Sequence, residues 1–303
     1  MVAQQTGNIS ISMCALCGGS ADLRLSHIVP RFVWDWLKRS SGTGFFRLGS
    51  MPNKREQDGL KERLLCGGCE QLFSGWEKQV AENIFIPLHE RGTTVIEYGP
   101  WLGKFCASIS WRTLFLYRQL GLSHFSQNML SAADAAMAAW RSFLLNHNDN
   151  LGALEHHLLP LEPIQSSTVP GIPSNMNRYF LRAVDIDVAC NVNSAFVYAK
   201  LCRLLLVGFI QMPNASAWKG TKVDYHREAI QPRSYKLPAA FGQFLIDRAT
   251  NMAAVQSRIS DRQKEKLDQA IHLNPDRVVQ SESFRAMEYD VRVFGASAFA
   301  DEA

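Results

Sequence analysis

The amino-acid sequence predicts an α+β chain in two parts: a small cysteine-stapled unit, then a larger mixed domain of helices and antiparallel strands. Three observations predict it. Four of the seven cysteines fall as two C-x-x-C pairs, Cys14/Cys17 and Cys66/Cys69. Apolar residues recur at helical spacing over residues 101–120 and 241–255. Between those stretches, residues 178–211 are rich in β-formers.

Composition narrows the class. With 303 residues, 47% hydrophobic and 20% charged, the chain can bury a substantial core, which excludes a disordered, collagen-like or small disulfide-bonded protein. The longest apolar run, Leu201 to Met212, is broken by Arg203 and falls short of the ~20 residues of a membrane span, so no membrane partner is expected. The opening MVAQQTGNIS lacks the basic start and apolar stretch of a signal peptide, so a cytoplasmic location is expected. The net charge of +4 is spread along the chain. Locally, Arg24 to Arg63 carries nine basic against four acidic residues, a positive surface suited either to phosphates or simply to solvent.

The elements of the first part follow in order. In a C-x-x-C knuckle a tight turn points both thiolates at one ion, and two knuckles complete the tetrahedral shell zinc prefers. Cys14, Cys17, Cys66 and Cys69 are therefore expected to hold a structural zinc. Between the knuckles lie 48 residues, enough for folded structure. Asp22 to Val29 alternates as a short strand or hairpin arm. Pro30 suits the first position of a helix whose apolar face is Phe32, Val33, Trp36 and Leu37, ended by Ser40-Ser41-Gly42. After Cys69, the spacing of Leu72, Phe73, Trp76 and Val80 predicts a second helix. A knuckle, a hairpin, then a knuckle opening a helix is the treble-clef order.

Ser26-His27-Ile28-Val29-Pro30, set between the first C-x-x-C and Leu64-Leu65-Cys66-Gly67-Gly68-Cys69-Glu70, resembles the HNH, or ββα-metal, endonuclease family. The resemblance covers about the first 80 residues. It implies a metal-dependent nuclease acting on DNA or RNA, in a setting of bacterial defence or mobile elements. His27 stands at the position of the general base. Glu70 stands where the family has a helical metal ligand, and a carboxylate suits Mg²⁺ or Mn²⁺. Ser26 replaces the Asp that many members use as a second ligand, and Lys61 lies where the base-orienting Asn usually falls. Asn53, Gln57 and Asp58 are the candidates for that orienting role.

Tyr98-Gly99-Pro100 marks the expected boundary, giving an HNH-like zinc domain over residues 1–98 and an α+β domain over 99–303. In the second, a helix is predicted over Trp101 to Leu120 with Gly121 as its stop. Another is predicted to start at a capping-box-like Ser131 to Asp134. Pro160 to Asn177 reads as a long loop. From Arg178 onward, Tyr179 and Phe180 open a β-rich stretch in which Asn191 to Ser194 turns an antiparallel hairpin. Leu201 to Ile210 suits either a strand or a buried helix. Helices are expected over Phe241 to Val255 and Asp261 to His272. Cys106, Cys190 and Cys202 read as core residues and Glu77 as a solvated carboxylate; Trp111-Arg112 either sets an aromatic and a cation near the zinc domain or, as the preferred reading, makes Trp111 packed core. The second domain is expected to supply substrate choice, regulation, or contacts to a protein partner or a second copy. The rivals are a zinc-dependent module that binds nucleic acid or protein without cutting, and a structural component of a larger complex.

Overall fold

The computed structural model describes residues 11–212, 214–226, 228–230 and 235–299. A short antiparallel pair, β1 (Ile11–Met13) and β2 (Ser20–Asp22), brackets the first knuckle. Next come β3 (Arg24–His27) and α1 (Arg31–Arg39). Pro30 precedes α1 as its N-cap, with ψ 141°, rather than occupying its first turn. Of the expected apolar face, Val33 and Trp36 are buried. Trp34 joins them, stacked on Phe46 with ring centroids 4.7 Å apart. The hairpin β4 (Phe46–Leu48) and β5 (Met51–Glu56) follows, then β6 (Lys61–Leu65), which pairs antiparallel with β3. The second knuckle opens α2 (Gly67–Val80), which continues through a π-helical turn into α3 (Ile86–Glu90).

After β7 (Ile96–Tyr98), α4 (Trp101–Leu120) runs through the middle of the molecule and ends at Gly121, whose φ of 95° favours glycine. Thirteen of its residues are buried, Trp111 among them. The helix α5 (Gln127–Leu144) starts a turn earlier than the Ser131 box predicted: Ser126 is its cap, accepting a hydrogen bond from the Met129 N–H. Ser131 sits inside the helix and donates to the Gln127 carbonyl.

The strand β8 (His156–Pro160) and the helix α6 (Met176–Arg182) follow, so Tyr179 and Phe180 are helical, not extended. The cause is distant in sequence. Asp290 accepts the Asn177 and Arg178 N–H groups at 2.7 and 3.1 Å, satisfying a helix start that no local residue caps. The strands β9 (Val184–Cys190), β10 (Ala195–Leu201) and β11 (Leu204–Gln211) then form a sheet of order β8-β11-β10-β9, all pairs antiparallel. The Asn191–Ser194 turn joins β9 to β10 as expected, and the ambiguous run after Leu201 is the strand β11. Gly208 lets α4 approach the sheet: a Cβ there would lie 2.2 Å from the Ser110 hydroxyl. The strand β12 (Glu228–Ile230) pairs with β7, and α7 (Ala239–Gln256), α8 (Asp261–Leu273), α9 (Pro275–Val279) and α10 (Glu282–Phe294) complete the chain.

The sheet sorts its side chains into layers by the two-residue period of a strand. Phe196, Tyr198, Val207 and Phe209 face Tyr179 on α6 and Phe241 and Leu245 on α7. Ala199, Leu201, Leu204 and Leu206 join the opposite layer with Phe105 and Ile109 on α4 and Val33, Trp36 and Phe85 from the first part. A further cluster packs Leu16, Ile28, Leu65 and Phe73 against Trp111, Leu114, Trp140 and Phe143. The apolar packing is thus continuous across Gly99, with α4 shared by both sides. Cys106 and Cys202 are fully buried in it; Cys190 is half-exposed. Among the described residues, no helix is long and apolar enough to cross a membrane.

Candidate metal centre and histidine site

The first knuckle closes on itself. The Cys14 N–H donates to the Gly19 carbonyl at 2.9 Å and the Gly18 N–H to the Cys14 carbonyl at 2.8 Å, with Gly18 at φ 79°. The second knuckle is the start of α2, where Cys66 is N-cap and Cys69 lies in the first turn. The pairing of β3 with β6 brings the two knuckles together, so that all four sulfurs lie within 4.8 Å of one another. The Cys17 and Cys66 sulfurs are 3.8 Å apart. A zinc tetrahedron with ~2.3 Å Zn–S bonds has edges of about 3.8 Å, so the donor set fits that ion. Burial works to raise Cys14, but N–H groups of Cys17, Cys66 and Leu16 outweigh it and bring the thiol to about 7. Burial and the three neighbouring thiols push Cys69 up. Four cysteines this close could hold a zinc ion, which would require their thiolate forms.

From the same frame the β3 strand carries Ser26 and His27, opposite Glu62 and Lys61 of β6. Ser26 is fully buried, and its hydroxyl donates to Glu70 Oε2 at 2.5 Å. Glu70 occupies the first turn of α2, where the helix dipole favours a carboxylate. His27 is held from two sides. Its Nε2 lies 2.7 Å from Asp58 Oδ1, with the imidazole largely covered and the carboxyl 41% exposed. Its carbonyl accepts a hydrogen bond from Arg112 Nη1 at 2.8 Å.

Asp58 stands in the short link between β5 and β6. Partial burial works to raise its carboxyl, but hydrogen bonds from Lys61, His27 and the Gly59 N–H, together with the charge of His27, hold it well below the usual carboxylate range. Of the three candidates for the orienting role, Asp58 therefore meets the imidazole. Asn53 is turned toward the C-terminal helices, donating to the Arg258 carbonyl and accepting from the Ser260 N–H. Gly59 is required beside Asp58 because a Cβ there would fall 2.0 Å from Trp34 Nε1, which donates to the Val29 carbonyl.

Two further residues, neither among the expected site residues, meet beside His27. Glu77 is no solvated carboxylate: its side chain is 19% exposed and takes Arg112 Nη1 at 2.8 Å. Arg112, 2% exposed, also bonds to the Ser108 carbonyl and lies over the Phe73 ring. Glu77 follows Glu70 by seven residues, the helical spacing that could have linked them, but its partner comes from α4 across the predicted boundary. The two adjacent histidines of β8 point to opposite faces of the strand. His156 meets Ser110 and Tyr225, and His157 meets Thr221. Among the described residues, the four cysteines form the one cluster of metal-binding geometry. Comparison with protein-family models, with curated proteins and with solved structures finds no match.

Proposed function

We propose that this protein is a metal-dependent endonuclease of the HNH, or ββα-metal, type, hydrolysing phosphodiester bonds in DNA or RNA. The observation that carries the reading is the pairing of His27, on β3, with Asp58, in the link between β5 and β6; the same strand joins Ser26 to Glu70 on the helix that the second cysteine knuckle opens. In this reading β3, β6 and α2 form the ββα core of a treble clef, and zinc held by Cys14, Cys17, Cys66 and Cys69 serves only to fix it. Four thiolates leave no open coordination position for chemistry.

The residues divide the work. Asp58, kept ionised, accepts the Nε2 proton of His27 and so leaves Nδ1 to take a proton from water. It then offsets the positive charge the ring acquires, as the carboxylate of a catalytic triad does. Glu70 would hold a Mg²⁺ or Mn²⁺ ion, which supplies stabilisation of the charged phosphate and the leaving 3′ oxygen when bound. Ser26 orients Glu70 through its hydroxyl. Arg112 fixes the backbone of His27 from α4.

The test is incubation of the protein with plasmid, single-stranded DNA and RNA in Mg²⁺ or Mn²⁺, beside His27→Ala. The expected outcome is cutting by the wild type and a loss of at least ~10²-fold in the variant. A second reading is favoured by Ser26, which leaves Glu70 as the sole carboxylate of the proposed ion site: a zinc-dependent module that binds nucleic acid or protein without cutting. Binding without cutting, unchanged by His27→Ala, would select it.

A further inference from the structure

The β4–β5 hairpin carries a charge arrangement that its own contacts leave uncompensated. The Arg47 and Arg55 guanidinium groups lie over one ring, that of Phe45, at 5.1 and 4.2 Å from its centroid. Neither pairs with a carboxylate among the described residues. Arg47 reaches only the Gln263 side chain at 3.4 Å, and its buried Nε has no hydrogen-bond partner. Arg55 donates to the Lys266 carbonyl. The hairpin's carboxylate, Glu56, is taken by Lys54 at 2.7 Å. A third guanidinium, that of Arg277, lies against Gly44 and donates to the Ser41 carbonyl. Burial and the neighbouring Arg55 charge both work against the charged form of Arg47.

Like charges gathered on one aromatic ring are stabilised by an anion that accepts from several N–H groups at once, and Arg55 is exposed to receive one. Arginine is suited to phosphate oxygens in this way. The location selects the source of the phosphate. Arg55 is three residues before Asp58, at most about 10 Å of extended chain, so a polymer of phosphates can lie on the hairpin and reach His27.

We propose that Arg47 and Arg55, set on Phe45, form an anchor for the phosphate backbone of a nucleic acid that extends to the His27–Asp58 site. The placement of the scissile bond rests on the endonuclease reading; the anchor itself is read by binding alone.

The experiment measures fluorescence anisotropy of labelled duplex DNA, single-stranded DNA and RNA with the full chain in the His27→Ala background, over a salt series. Arg47→Gln/Arg55→Gln should weaken binding at least tenfold at ~0.1 M salt and, for duplex DNA, flatten the salt slope by about 1.8 if both contact phosphates. A control, Arg31→Gln/Lys78→Gln, removes the same charge from cations that already face Asp35 and Glu82 and should leave affinity within about twofold. An unchanged slope in the first variant overturns the anchor, as does equal weakening in the control. So does binding to phosphatidylserine vesicles without binding to any oligonucleotide. Zinc content and thermal midpoint establish that each variant is folded, and the single substitutions replace the pair if it is not. Binding through these arginines without cutting by the wild type would sink the endonuclease reading and leave the anchor standing. Cutting unaffected by their loss would do the reverse.

Discussion

At the scale of single residues, the site is built from short polar side chains whose partners come from other elements. Ser26 is an instance. A fully buried hydroxyl must find a partner, and this one finds Glu70 on the first turn of α2. Replacing Ser26 with Ala removes that donor and leaves the carboxylate less well held. The expected cost is about 1–3 kcal/mol in a urea unfolding experiment, with cleavage reduced but not abolished. An unchanged unfolding midpoint would show that the contact contributes nothing to Glu70. His27 and Glu70 became candidates through the resemblance of the segments around the knuckles to the HNH family, not through spacing alone. Asp58 could be narrowed only to a group of three, since the link from β5 to β6 sets its direction and no spacing rule encodes that link.

Between elements, the main junction is Arg112, which ties α4 to α2 through Glu77 and to β3 through the His27 carbonyl. Arg112→Met leaves a partly covered carboxylate without its cation, and such a break costs about 2–3 kcal/mol, below the figure for a fully buried pair. Adding Glu77→Gln should recover much of that loss, because the isolated charge is then gone. A double-mutant cycle by thermal or urea unfolding checks it, and strictly additive effects would contradict a coupled pair. Other junctions explain why some elements were readable and others were not. The helix α4 announces itself by spacing and by its glycine stop. The start of α5 differs from the sequence reading because Ser131 with Asp134 imitates a box, although Met129, before it, already begins the buried stripe that Ala133 continues. The helix α6 could not be read locally at all: its aromatic residues favour a strand, and Asp290, over a hundred positions later, supplies the hydrogen bonds that make it helical.

For the whole molecule, the four-stranded sheet between two apolar layers and the shared helix α4 bind the cysteine-stapled part and the larger part into one packed body. Three histidines sit inside it. Burial first of all lowers His89 and His156 from 6.5 to about 3, and His157 to about 4. The unfolded chain takes up these protons near pH 6.5, whereas the folded chain accepts them only some three pH units lower. The histidines' contribution to stability is therefore full above pH ~6.5 and falls progressively toward pH ~3. Asp58, with its lowered carboxyl, adds a loss below the ordinary carboxylate range of ~4, which its partial exposure keeps small. Urea midpoints measured from pH 7.5 down to 4.5 should decline steadily; a flat profile would mean that the histidines are solvated or charged in the folded state.

The claim that water, activated by His27, cleaves a phosphodiester is tested most directly by cleavage in ¹⁸O-labelled water, with wild type and His27→Ala matched for zinc content. The prediction is one labelled oxygen in each new 5′-phosphate from the wild type and at least ~10²-fold less product from the variant. Products without label, or equal labelled product from both proteins, would contradict it.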